Sequence, residues 1–214
     1  MSSQTLVDLL RGGVVTLKIA CGAWVVSAVL GLALAVLQDL GIAPVRAVQS
    51  SLVIGLRSVP QLVLLYLLYF GLGAVGIQVN SILAAILALG IADAAFSAEY
   101  YRAGFMTVPR TQREAGFSLG LSPVGVMMRV VVPQTIPFVV PPLLNSFVGL
   151  LKTATLAAAV GAPEILYRGQ NAMSRTGQLV LVMTVIIVLY VAATMPLTRA
   201  VAVLERRVRS HAHG

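Results

Sequence analysis

QLVLVMTVIIVLYVAATMPLT, residues 178–198, contains no charged side chain. As an α-helix these 21 residues rise about 30 Å, the thickness of a bilayer's hydrocarbon core. A run this long and apolar reads as a transmembrane helix, and it sets the standard for the rest of the chain.

Residues 13–37, 50–72, 81–104 and 137–160 meet that standard too, which makes five spans and an all-α membrane protein. Residues 1–214 are expected to form a single transmembrane domain. Lys18 interrupts the first span near its outer end, where a long stem can snorkel to the headgroups. The third span carries Asp93, Glu99 and Arg102 in its later half, and the fourth carries Lys152. Gly41 and Pro44 punctuate the end of the first span; Gly71, Gly73 and Gly76 that of the second; Gly161 and Pro163 that of the fourth.

Composition supports this division. Of 214 residues 58% are hydrophobic and 10% charged, with a mean hydropathy of +0.95, which no water-exposed surface would carry. The formal charge of +8 does not point to nucleic acid, because Lys and Arg are spread singly, without a basic run interleaved with aromatics. Cys21 is the only cysteine, which excludes an internal disulfide and a cysteine-rich metal site. His211 and His213 sit in the C-terminal tail and leave the spans without histidine chemistry. The first apolar stretch is too long for a signal-peptide core and lacks a basic run before it, so it reads as a permanent helix.

Basic residues also orient the bundle. Arg199, Arg206, Arg207 and Arg209 follow the fifth span; Arg110, Arg113 and Arg129 lie between the third and fourth; Arg46 lies between the first and second. Residues 71–80 carry no charge, and the connection after the fourth span has only Arg168 and Arg175. The positive-inside rule therefore puts the C-terminus in the cytosol and the N-terminus outside, with Arg11 on the unexpected side.

The connection at about residues 105–133 is the longest, and cytosolic loops of this length are usually functional. After Pro109 it reads TQREAGFSLGL, with Glu114, Phe117 and Leu121 at helical spacing, then Ser122-Pro123 as a helix start. Two short helices lying against the membrane face are expected here. Within them EAGFSLG (114–120) is followed by nine residues and then VVVP, ending at Pro133.

That pattern resembles the Glu-Ala-Ala signature of permease subunits in ATP-binding-cassette importers. Glu114, Ala115, Gly120, Val130, Val132 and Pro133 keep its spacing, while Gly116 replaces the second alanine. Three other stretches are similar to the histidine, glutamate, glutamine and arginine permease family, its glutamate-like branch nearest: LRSVPQLVLLYLLYFGL (56–72), AAFSAEYYRAGFMTVPRTQREA (94–115) and PPLLNSFVGLLKTATLAAAVGAPEI (141–165). The resemblance covers most of residues 50–166. Thr111, Asp93 and Ala154-Thr155 depart from the family's usual residues.

The resemblance implies a type I importer permease of the bacterial cytoplasmic membrane. It would pair with a second permease, identical or homologous, and take a small polar amino acid from an external substrate-binding protein. ATP and magnesium would be held by partner ATPases; no phosphate-loop motif occurs in this sequence, and neither a cofactor nor a metal site is expected in the chain. Glu114, Ala115, Gly116, Phe117, Gly120 and Leu121 would seat in the ATPase. Gly116 and Gly120 would allow close approach of its backbone, Phe117 and Leu121 would fill an apolar groove, and Glu114 would cap the helix or pair with an arginine.

An ionisable group in the middle of a span costs at least about 2.5–3.5 kcal/mol, so it faces an interior or a water-filled path. Asp93, Phe96 and Tyr100 share one helical face. Asp93 could take a substrate ammonium and Lys152 its carboxylate, or the two could pair as interhelical glue. Glu99 and Arg102, three apart, could pair along their helix or flank the path. Arg57 beside Pro60, with Asn145 and Thr153 near Lys152, are further candidates for the path or for interfaces. Other readings are an intramembrane enzyme, which lacks a catalytic set in the spans, and a channel or ion-coupled transporter using Asp93 and Glu99. An ectoine-like osmolyte is the alternative cargo.

Overall fold

The computed structural model describes residues 3–39 and 43–211, and every regular element among them is helical. Gly41 and His213 lie outside the described residues. Four helices are long and apolar enough to cross a membrane, and a strongly bent pair brings the number to five when it is counted as one span.

The first span is helix α1, Ser3–Asp39, which starts ten residues before the apolar run. Gly12 is where another helix closes on it: a Cβ there would lie 2.7 Å from the Ile165 Cα. Helix α2, Ala43–Ser58, and the short α3, Gln61–Tyr66, share the second apolar stretch. A π-helical turn, Leu67–Gly71, and α4, Leu72–Ala74, complete it. The expected single span over 50–72 is thus broken, with a bend of 97° between Ser50–Ser58 and Gln61–Ala74. Proline is the cause: Pro60 clashes with a helical conformation at Val59 and supplies no N–H.

Helix α5, Ser81–Phe105, begins where the Asn80 side chain accepts the Leu83 amide at 2.8 Å. It is the centre of the bundle, packed along α1 through small residues. Thr16, Ala20, Ala23, Ser27, Gly31 and Ala35 recur every three or four residues on one face of α1 and are buried. Ala84, Ala85, Ala88, Ala92, Ala95 and Ala98 are buried on α5. In lipid, apolarity does not distinguish an inner face from an outer one, whereas close backbone approach does.

After α5 comes α6, Arg110–Ser118, and then α7, Pro123–Val126, started by the Ser122 hydroxyl accepting the Gly125 amide at 3.1 Å. α7 does not stop as a separate surface helix. It runs through a π turn, Met127–Val131, into α8, Val132–Thr153, and a 3-10 segment, Ala154–Val160. The fourth span is therefore Pro123–Val160 rather than 137–160, and one short surface helix stands where two were expected. Pro133 falls in the first turn of α8, where a missing N–H costs little. The π turn before it absorbs the change in hydrogen bonding.

Gly161, at φ +75°, turns the chain out of that span. Helix α9, Ile165–Thr176, ends at Gly177, again with positive φ, and α10, Leu179–His211, is the last span. α10 continues as helix through the basic tail.

Candidate functional site

The first site is the end of the bundle built around α6. Glu114, Ala115 and Phe117 are exposed, Phe117 at 48%. Gly116 faces inward instead: a Cβ there would meet Val126 Cγ2 at 3.0 Å and Val130 Cγ2 at 3.5 Å. Its smallness serves packing within the chain, not approach of a partner's backbone. Gly120 lies beyond the helix at φ +78° with nothing within 4 Å of a Cβ. Gly120 N–H donates to the Phe117 carbonyl at 2.9 Å and Leu121 N–H to the Gly116 carbonyl at 3.2 Å. This paired closure needs a left-handed residue, which explains the glycine. Leu121 is half-buried against the apolar cluster that includes Phe105, Val126 and Val131, so it is no outward anchor. Glu114 sits mid-helix, and Pro109 holds the N-cap position without a side-chain bond, so the capping role expected for Glu114 is not realised.

Two features escaped the sequence reading. Arg113, counted there only as a positive charge, ties α6 to two spans. Its Nη1 lies 2.7 Å from Asp39 Oδ2 at the end of α1, and its Nη2 donates to the Phe105 carbonyl at 3.0 Å at the end of α5. A cation at a helix C-terminus is also favoured by the helix dipole. Met106, at 74% exposure, and Leu119, at 83%, are further exposed apolar residues at the end of the bundle where the basic side chains Arg110 and Arg129 are exposed.

The second site lies in the spans. Asp93 Oδ2 accepts hydrogen bonds from Ser27 Oγ of α1 at 2.7 Å and from Ser146 Oγ of α8. Ser27 Oγ also lies 2.7 Å from Ser97 Oγ. One carboxylate thereby joins three spans through hydroxyls. The pairing with Lys152 considered as glue does not occur: no ion pair joins them among the described residues. Lys152 is six residues beyond Ser146 on α8, about 9 Å along the axis and well around the helix, and it is exposed. Asn145, seven residues before Lys152 and on the same face, is exposed too, whereas the Thr153 hydroxyl turns back to the Gly149 and Leu150 carbonyls at 3.4 Å.

A second polar group forms one to three turns along α5. The Arg57 guanidinium stands 4.8 Å over the Phe96 ring, a cation–π contact between α2 and α5. Tyr100 is within electrostatic reach of both Asp93 and Arg57. Glu99 and Arg102 pair at 2.8 Å, as their spacing anticipates, with the two side chains 33% and 44% exposed. Gln38, Ser50, Val53, Arg57, Glu99 and Arg102 line a cavity of about 230 Å³ there. Four of the nine expected path residues, Arg57, Phe96, Glu99 and Arg102, thus converge, with Tyr100 beside them; Asp93 is engaged elsewhere, and Asn145 and Lys152 form a separate face.

A buried carboxyl was also missed. Glu164 is 0% exposed at the opposite end from α6 and caps α9, its Oε1 accepting the Tyr167 amide at 2.7 Å. Thr16 Oγ1 approaches Oε2 at 3.4 Å. Burial pushes the carboxyl above its ordinary range, against the pull of the Leu166, Tyr167 and Ile165 amides and the Thr16 hydroxyl.

Residues 27–210 match the family described as binding-protein-dependent transport system inner membrane component. The probable glutamine ABC transporter permease protein GlnM of Bacillus subtilis (strain 168) is 32% identical over 182 residues, covering 85% of this chain and 84% of that protein. The L-cystine transport system permease protein TcyB of the same organism is 28% identical over 180 residues, covering 84% and 77%. Among solved structures, an amino acid ABC transporter crystallised with histidines superposes with a TM-score of 0.83 at 29% identity, covering 97% of this chain and 99% of that one. The inward-facing MetNI methionine ABC transporter, at TM-score 0.79 and 24% identity, shares the fold over 98% of this chain.

Proposed function

Because the chain belongs to the family of inner membrane components of binding-protein-dependent transport systems, we propose that it is the permease subunit of an ATP-driven importer for polar amino acids. Relatives named for glutamine and cystine transport support the cargo class, glutamate-like or glutamine-like solutes first. It works beside ATPase subunits that bind ATP and magnesium, a second permease, and an external binding protein. The N-terminus lies outside and the C-terminus in the cytosol, as the basic residues around α6 and in the C-terminal part of α10 favour.

One observation carries the coupling role. The α6 end presents Glu114, Ala115, Phe117 and Leu119 outward and is fastened behind by Arg113 to α1 and α5. A push on α6 by a closing ATPase therefore moves the inner ends of two spans. Phe117 and Leu119 act as the apolar anchors and Glu114 as the charged one. The cargo path runs past Arg57, Phe96, Glu99, Tyr100 and Arg102, with Asn145 and Lys152 contributing from α8. Asp93 supports the wall of that path through Ser27 and Ser146, and Thr153 has no direct part. A channel or ion-coupled mechanism is less well supported, since Asp93 is satisfied by hydroxyls and Glu99 by Arg102.

Co-purification tests this. The wild-type chain is expected to bring an ATPase out of native membranes, and Phe117→Ala with Leu119→Ala to lose at least about 2 kcal/mol of that binding, roughly thirtyfold. ATP-free uptake by the chain alone in vesicles would contradict the proposal. Amino-acid-stimulated ATP hydrolysis by the complex then separates glutamine-like cargo from an ectoine-like osmolyte.

A further inference from the structure

We propose that the exposed face of α8 up to Lys152 is the part of the cargo path that reads an amino acid's two charges: backbone carbonyls freed by proline accept hydrogen bonds from its ammonium, and Lys152 meets its carboxylate. This role rests on the chain being an importer permease for amino acids, and it assigns the groups that touch the cargo.

Helix α8 carries Pro137, Pro141 and Pro142 in its interior. Each lacks the N–H that bonds the carbonyl four residues back, so the carbonyls of Pro133, Pro137 and Phe138 lose their helical donor. The polar side chains around this stretch bond elsewhere. Gln134 Nε2 donates to the Val130 carbonyl, the Thr135 hydroxyl to that of Val132 and the Trp24 indole to that of Leu143, each at 2.8 Å. Pro133, Pro137 and Phe138, which own the freed carbonyls, are all exposed. In hydrocarbon an unpaired carbonyl is costly, and irregular backbone is kept only where it meets protein or lines a water-filled space.

Phe138, Asn145 and Lys152 follow one another at seven-residue intervals, which places them on one side of α8, and all three are exposed. Val139, Leu143 and Leu150, on the other side, are buried. Lys152 carries no ion pair among the described residues. A lysine and an asparagine beside freed carbonyls are out of place against lipid tails and suit a wet path. The face also changes character along its length. It offers acceptors at Pro133, Pro137 and Phe138, an amide with both donor and acceptor at Asn145, and a cation at Lys152. Phe138 and Lys152 are fourteen residues apart, about 21 Å along the axis, which exceeds the length of an amino acid. The groups therefore act in succession, and weak stepwise contacts of this kind let a solute both enter and leave. A zwitterion uses both ends of the face; a solute with one sign of charge uses only one.

The test uses the chain in its complex with the ATPases and the binding protein, reconstituted in vesicles with ATP and offered a mixture of labelled protein amino acids. Pro137→Ala removes an exposed ring, so it opens no cavity, and it supplies an N–H that bonds the Pro133 carbonyl. It is expected to lower uptake at limiting cargo about tenfold, the worth of one hydrogen bond to a charged group, while ATPase co-purification stays intact. Pro137→Gly also supplies the N–H but leaves the backbone free to bend, and it is expected to lose as much. Uptake unchanged in Pro137→Ala would overturn the proposal. So would uptake restored in Pro137→Gly, which would assign the proline to bending instead. In a Cys21→Ser chain, Phe138→Cys is expected to react with a water-soluble cationic thiosulfonate and to be protected by the amino acid mixture. An unreactive thiol there would also overturn the proposal, since lipid or protein would then cover the face. Wild-type vesicles without ATP-driven uptake would instead remove the transport reading on which this role rests.

Discussion

Two regions of this chain use glycine and other small residues, for opposite reasons. Along the α1–α5 seam, a Cβ on Gly31 would lie 2.5 Å from Ser97 Cβ and 3.0 Å from the Ala98 amide nitrogen, so the glycine exists because another backbone is there. At the α6 end, Gly120 meets nothing within 4 Å and exists because the chain must turn left-handed. The seam is complete in one chain: its hydroxyls and the Asp93 carboxylate satisfy one another. The α6 end is incomplete, with Leu119 83% and Met106 74% exposed outside the long spans. Exposed apolar residues such as Val29, at 63%, are ordinary within a span, where lipid covers them. At the end of the bundle the same exposure calls for a protein partner.

The sharpest way to break this contrast is Gly31→Leu. The side chain has backbone in its way on α5, and a cost above about 3 kcal/mol is expected, at the far end of overpacking; thermal melting in detergent reads it as loss of the folded protein. Next is Asp93→Leu, which strands the Ser146 hydroxyl, leaves Ser27 with Ser97 alone and costs about 1–3 kcal/mol, with Asp93→Asn milder because it keeps an acceptor oxygen. A melt unchanged by Asp93→Leu would remove the three-span knot from the account. Gly120→Ala forces a Cβ into the left-handed region at about 1–2 kcal/mol. Its effect should appear as weaker ATPase retention rather than as loss of the spans.

The smallest effect is a pH dependence at Glu164. Its carboxyl is raised in the folded state, so the native protein holds that proton more tightly than the unfolded chain. This contribution is fully present below the ordinary carboxylate pKa and is lost as pH rises through the raised one. Wild-type stability relative to Glu164→Gln should therefore fall across that window; a difference independent of pH would show that the carboxyl ionises normally.

What could be read from sequence follows the same divide. Spans are a property of composition, so the uncharged run at 178–198 was visible in one dimension. So was the motif spacing from Glu114 to Pro133. The break at Val59-Pro60 was legible through the proline but was overridden by the apolar length around it. The continuity of α7 into α8 was hidden because Pro133 looks like a helix start whether or not a helix already runs into it. Asp93 drew attention as a charge in lipid, yet its partners are serines on two other spans, which carry no long-range signal. Arg113 looked like one positive charge among several, and only the fold brings Asp39 and the Phe105 carbonyl to it. Gly116 and Leu121 were assigned to a partner because helical spacing says which residues share a face, not which side of that face the chain itself will cover.

The central claim, that the α6 end is covered by protein while equally apolar positions in the spans are covered by lipid, can be put to one measurement. A photoreactive phenylalanine analogue is placed at Phe117 in one chain and at Val29 in another, and native membranes are irradiated. The account expects position 117 to cross-link to an ATPase-containing partner band that position 29 does not give. Lipid adducts alone at both positions, or the same protein band from each, would contradict it.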